Sequence, residues 1–349
     1  MERPDLVNIP GEVRAYIEYL ESRLAILEGK RARTPNIVIS DAQREAGLPQ
    51  EMATAESLIT LSAFGKVKRT YRHLYNRQHR GGMGNFDLDI DPTDSPVAIQ
   101  VVSETANLLL FTNFARVFRF PVNKLDPDEV RSKGETLIDR FQLEPGERFS
   151  AVLPNRASGY VALASQRGRI RVLRHHLFGE HMRPGTPMYR LEEFGELASV
   201  CWTPGNADLL LLTRRGLGIR FAEKLINPQG DLGIKLADGD QLAAVLSVND
   251  DSKVFMVGAD GRGTIRSMQS FAPNKSTGGI GKLAIRTDLL AGALPVEPVD
   301  DVFLISRLAK MIRFPLNEVP ETESVIQGVA CMQLRADEVV AVCTGRMVL

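Results

Sequence analysis

Six times along the chain, an apolar run, a tight turn and a second short run close on an arginine. The copies are "LITLSAFGKVKR" from Leu58, "LLLFTNFARVFR" from Leu108, "YVALASQRGRIR" from Tyr160, "LLLLTRRGLGIR" from Leu209, "VFMVGADGRGTIR" from Val254 and "VFLISRLAKMIR" from Val302. The closing arginines, Arg69, Arg119, Arg171, Arg220, Arg266 and Arg313, lie 50, 52, 49, 46 and 47 residues apart. Each copy reads as a β-hairpin, and each is followed by a glycine-containing stretch that ends in an apolar strand, giving roughly four strands per unit. One such sheet cannot cover its own two faces. Stacked around a ring, each sheet buries its faces on its neighbours, and closure of the ring protects every edge. The sequence therefore predicts an all-β fold, a six-bladed β-propeller over residues 58–349.

Residues 1–57 follow a different pattern. Val13, Ile17, Leu20, Leu24 and Leu27 alternate spacings of four and three, with Pro10 before and Gly29 after, which predicts a short N-terminal α-helix over about 11–29 with a coiled-coil-like seam. Such a seam either packs on its own domain or pairs two chains into a homodimer. Residues 30–57 lose any period and read as a linker.

Lys plus Arg and Asp plus Glu both number 43, so net charge steers nothing and a nucleic-acid surface has to come from local segregation of charge. Such segregation is present. No acid occurs from Ser57 to Phe86, where Lys66, Lys68, Arg69, Arg72, Arg77 and Arg80 gather, nor from Arg148 to Gly179, which holds Arg156, Arg167, Arg169, Arg171 and Arg174. In five copies the residue before the closing arginine is apolar, so strand alternation sends that residue inward and the arginine to the opposite face, expected on the outside of the disc. Lys68 takes the apolar position in the first copy. Phosphate backbones suit such sectors, because contacts that release counterions carry affinity without reading sequence. The stretch "RQHRGGMG" adds three glycines, Gly81, Gly82 and Gly84, whose backbone freedom lets amides approach phosphate oxygens while Arg77 and Arg80 supply charge.

Here the chain resembles the DNA gyrase A C-terminal domain, a six-bladed β-pinwheel with relatives in topoisomerase IV. The resemblance covers about residues 58–349. "QHRGGMG" (Gln78 to Gly84) is similar to the family's box Gln-Arg-Arg-Gly-Gly-Lys-Gly, with His79 and Met83 departing from it, and "FGKVKRT" matches the family's blade hairpin. The resemblance implies double-stranded DNA bent around a basic rim, through Lys66, Lys68, Arg69, Arg77, Gln78, Arg80 and the three glycines. The rim arginines and Arg72 extend the expected contact set to Arg119, Arg167, Arg169, Arg171, Arg220, Arg266 and Arg313.

The family's breakage and reunion region does not fit in the 57 residues ahead of the repeats, so the expectation is a stand-alone, non-catalytic accessory protein. Gyrase or topoisomerase subunits are the expected protein partners. A second reading is a protein-interaction propeller with little DNA affinity, suggested by the balanced charge and the two altered box positions.

Other chemistry finds little footing. "HHLFGEH" (His175 to His181) matches no metal-ligand spacing, and "STGGIGKL" lacks the first glycine and final Ser/Thr of a P-loop. Cys201, Cys331 and Cys343 form no CxxC pair, fitting a reducing compartment. No cofactor, metal or enzymatic activity is expected. No apolar run reaches the roughly 18 residues a bilayer requires, and the expected location is cytoplasmic, with the nucleoid.

Overall fold

The computed structural model describes Leu48 and residues 50–346; the helix expected over 11–29, and the pairing it would mediate, lie outside these residues. Among the described residues no helix is long and apolar enough to cross a membrane.

The hairpins form where the repeat places them. Their first strands begin at Glu56, Asn107, Tyr160, Asp208, Lys253 and Asp300. In blade 1 the register pairs Leu58 with Thr70 and Leu61 with Val67. The first strands are runs of apolar residues without polar alternation, the pattern of strands covered on both faces. Alternation instead decides which neighbour each residue meets. Leu108 and Leu110 of blade 2 pack with Ile59 and Leu61 of blade 1, whereas Leu109 and Phe111 pack with Val161 and Leu163 of blade 3. The same parity continues around the disc. It ends where Phe303 and Ile305 of blade 6 meet Leu58 of blade 1, so the hydrophobic cores lie between blades and join into a closed ring.

The outermost strand of every blade is donated by the next repeat. Glu135–Thr136 completes blade 1, Thr186–Pro187 blade 2, Asp231–Leu232 blade 3, Lys282–Leu283 blade 4 and Val329–Ala330 blade 5. Asn85–Phe86 of the first repeat pairs with Lys310 and Met311 of blade 6 and shuts the ring. These straps pass so close to the receiving strand that glycine is required. A Cβ on Gly84 (φ +68) would stand 2.5 Å from the Met311 carbonyl oxygen, and one on Gly134 (φ +60) 2.4 Å from that of Val67.

The long last strands, such as Pro96–Ser103 and Phe149–Pro154, line a central channel of about 860 Å³. At its hairpin-turn end, one backbone hydrogen bond joins successive blades. The amides of Phe149, Leu197, Leu242, Leu290 and Val339 donate to the carbonyls of Ala63, Asn113, Gln166, Arg214 and Ala259, at 2.6–3.1 Å. The sixth donor position, at the seam between blades 6 and 1, is Pro96, which aligns opposite Ser62 and has no N–H to give.

Candidate nucleic-acid interface

The repeated arginines do not stand on the outside of the disc. Arg69, Arg220 and Arg313 are 2% exposed and Arg266 6%, while Arg119 and Arg171 are half-buried. Alternation does put each arginine opposite its apolar neighbour, but both faces of a blade are interior, so the opposite face is the other inter-blade seam.

At Arg69, Arg220 and Arg313 the guanidinium clamps the following blade, whereas the strand register turns Arg171 and Arg266 to the preceding seam. Arg220 of blade 4 donates to the carbonyls of Met268 (3.0 Å) and Phe271 (3.2 Å) at the short 3-10 turn of blade 5, while Asp208 holds it at 2.8 Å. Arg313 of blade 6 donates to Arg72 (3.2 Å) and Tyr75 (3.1 Å) in blade 1, and Arg69 of blade 1 to Leu125 (3.1 Å) in blade 2. Arg171 and Arg266 also bond backbone carbonyls, of Met188 (2.7 Å) and Ala284 (2.6 Å) respectively. The Met268 and Arg72 carbonyls already accept the closing amides of their own turns, from Phe271 and Tyr75; the charged fork reaching across adds a second donor to these two and a donor to the carbonyls of Phe271, Tyr75 and Leu125.

Lys68, the departure from the repeat, is buried as well. Its ammonium donates to the Asp87 carboxylate (2.5 Å), the Asp87 carbonyl (2.7 Å) and the Val130 carbonyl. Thr60 and Tyr75 donate to the same carboxylate, at 2.7 and 2.5 Å. Burial depresses the Lys68 pKa from its ordinary value, and the Asp87 charge opposes that shift. Burial likewise pushes the Tyr75 hydroxyl well up, so it stays a donor. This cluster pins the chain that leaves the glycine-rich box to blade 1.

The box is a strap over the closing seam rather than an open cradle. Gly81 donates its amide to Cys331 (2.7 Å) and Gln78 to Arg313 (2.8 Å), so these two amides face protein carbonyls, and the Gly82 carbonyl accepts from Gln333 (2.8 Å). Arg80 donates to the carbonyls of Glu318 (2.8 Å) and Ala330 (3.0 Å), and Arg77 pairs with Asp301 at 2.8 Å. Arg77 and Arg80 remain half-buried at the rim, as does Lys66, whose ammonium meets the Asp89 carbonyl at 2.8 Å. Arg72 is fully buried among carboxylates.

Cations that do face solvent lie further round. In repeat 3, Arg167, Arg174 and Arg183 are exposed, and the half-buried Arg169 stacks on Phe194 at 4.9 Å. On the straps of repeats 4 and 5, Lys235, Lys275 and Lys282 are exposed, with Arg286 just beyond. Lys235 pairs across to Ile280 where the two straps join by a short parallel ladder. A sequence signal marks Lys275, Lys282 and Arg286: no Asp or Glu occurs from Gly261 to Thr287.

This architecture has relatives. A family model described as the DNA gyrase C-terminal domain, beta-propeller, matches residues 56–103, 106–156, 207–249 and 300–342, within repeats 1, 2, 4 and 6. The chain belongs to this family. The DNA gyrase A protein of Haloquadratum walsbyi is 25% identical over 96% of the chain and 41% of its own length, and that of Escherichia coli 25% over 83% and 34%. The chain thus spans well under half of these relatives. The structure of the DNA gyrase A C-terminal domain superposes with a TM-score of 0.72 at 20% identity, over 83% of this chain and 99% of that one. The C-terminal domain of DNA topoisomerase IV gives 0.60 at 17%, over 84% and 94%. The region of gyrase A that this gyrase-type propeller matches is the non-catalytic one.

Proposed function

We propose that this propeller binds double-stranded DNA without reading its sequence and bends it along part of the rim, as an accessory to a gyrase-type topoisomerase working on the nucleoid. The observation that supports this most is the acid-free stretch Gly261 to Thr287, whose exposed Lys275, Lys282 and Arg286 continue through Lys235 toward the cations of repeat 3. In a chain of zero net charge, such segregation makes a local phosphate-binding arc. The arc covers repeats 3 to 5. The repeated arginines serve ring assembly, and Lys66, Arg77 and Arg80 supply a smaller contact at the box.

The test is duplex binding across a salt series, with Lys235→Glu/Lys275→Glu/Lys282→Glu beside wild type. Loss of three phosphate contacts lowers the slope of log affinity against log salt by about 2–3, with affinity falling at least about tenfold at low salt. Ligation of nicked circles in the presence of the protein then reports whether the bend is chiral. Absence of binding by wild type, even at low salt, would sink the proposal and favour a protein-interaction propeller.

A further inference from the structure

The seam between blades 6 and 1 is built unlike the other five. It lacks the inner-ring hydrogen bond because of Pro96, and the first residue of its 3-10 turn is Arg72, where blades 3 and 4 place His175 and Glu223 and blades 2, 5 and 6 place Val122, Met268 and Leu316. Those three pack into hydrophobic cores. Arg72 is 0% exposed in the equivalent place, and Gly345 leaves it room: a Cβ there would stand 3.1 Å from Arg72 Cδ. A buried guanidinium needs an anion.

That anion comes from outside the repeats. Glu51, in the segment ahead of blade 1, has a side chain 0% exposed. It lies against the Nε and Nη2 edge of Arg72, with Nε 3.1 and 3.2 Å from its two oxygens, and its Oε2 is 2.8 Å from Arg313 Nη2. Arg72 Nη1 meets Glu56, Arg313 Nη1 meets the carbonyls of Arg72 and Tyr75, and the Nε–Nη2 edge of Arg313 lies on Asp301 at 2.8 and 2.7 Å, so its Nη2 is shared between Asp301 and Glu51. Asp301 also holds Arg77. Three cations face three carboxylates, and withdrawing Glu51 leaves one positive charge, with the Nε–Nη2 edge of Arg72 and the Nη2 of Arg313 aimed at the same point. A fork and a second guanidinium nitrogen converging on a pair of oxygens form an arrangement that accepts a phosphate as well as a carboxylate.

We propose that Arg72 and Arg313 form an oxyanion site at the ring-closing seam, with Glu51 as its resident ligand. Residues 50–55 are then a removable clasp, and their withdrawal hands the site to a phosphate group. That the phosphate in question belongs to a DNA backbone rests on the function proposed above; the site itself does not.

The experiment uses the full chain with Glu51→Ala and Glu51→Gln, following thermal unfolding in sodium phosphate or in sodium chloride of matched ionic strength. Removing one partner of a buried pair lowers the unfolding midpoint on the order of 10 °C in chloride. Inorganic phosphate restores a substantial part of that loss in Glu51→Ala and leaves wild type unmoved. Glu51→Gln, which keeps the side chain's bulk, loses stability but gains little from phosphate because the site stays filled. A phosphate response equal in all three proteins, or absent from Glu51→Ala, overturns the proposal. Should Glu51→Ala not fold in chloride, recovery of its folded circular dichroism on refolding into phosphate but not chloride serves as the same readout. A duplex arm separates the two sources of phosphate: tighter binding by Glu51→Ala, abolished by millimolar-range inorganic phosphate, places backbone phosphate in the site. Rescue by inorganic phosphate with unchanged duplex affinity confines the site to small anions.

Discussion

Arg220→Ala separates the two roles an arginine repeated once per blade can play. The side chain is 2% exposed and joins blade 4 to blade 5 through the carbonyls of Met268 and Phe271, with Asp208 beside it. Its contact with Asp250 adds little, since that carboxylate is 77% exposed. Truncation strands the Phe271 carbonyl, at about 1–3 kcal/mol, takes one of two donors from the Met268 carbonyl, which keeps the Phe271 amide, and leaves Asp208 without its cation. A further loss comes from the stem's packing at the seam. Screening of Asp208 by solvent reduces the sum, and the expected destabilisation is about 3 kcal/mol. Urea unfolding followed by circular dichroism measures it, with the midpoint shift as the primary readout because a six-blade array need not unfold in one step. Duplex affinity and its salt slope, measured where the variant remains folded, are expected to match wild type. A variant as stable as wild type but with weakened, less salt-dependent DNA binding would refute the clamp and return the arginine to the DNA surface.

Three further outcomes follow from the same geometry. Gly84→Ala forces a Cβ against the Met311 carbonyl at a left-handed backbone position; a cost of about 1–3 kcal/mol in urea unfolding is expected, where the exposed-loop Gly239→Ala, whose nearest neighbour is a flexible arginine tip, costs less. Asp87→Asn strips the counter-charge from buried Lys68, and a loss of about 3–5 kcal/mol should shrink at high pH, where the lysine can be neutral without a partner. Burial pushes the thiols of Cys201 and Cys331 up to about 12, so native protein at pH 8 should resist alkylation that proceeds freely in denaturant; rapid modification of the folded chain would contradict their placement.

The closing arginine is legible in sequence at every copy, as is its placement opposite its apolar neighbour, although a one-residue shift in register turns Arg171 and Arg266 to the other seam. What it faces is not. An outward placement assumes that a strand has an interior and an exterior face, which holds for a half-covered sheet and fails for a blade stacked on both sides. The unbroken apolar run of Leu108 to Phe111 carries that information, since a strand with one wet face would alternate. Lys68 shows the same limit: its position is conspicuous, but Asp87, 19 residues on, comes within hydrogen-bonding distance only after the box has crossed to blade 6 and returned. The glycines of the box are backbone-approach residues, as their spacing suggests. They approach a strand of blade 6 instead of a phosphate.

The period, the strand pairs and the all-β class follow from sequence alone, because apolar runs, turn glycines and spacing between copies are local properties. Tertiary structure decides what pairs with what across the period: which repeat donates each outer strap, which seam receives each alternate side chain, and where Glu51 finds its arginines. Those choices depend on closing a ring, which brings residue 51 against residue 313 and leaves Pro96 at the one seam it weakens. Closure is a global constraint, and no window of sequence contains it.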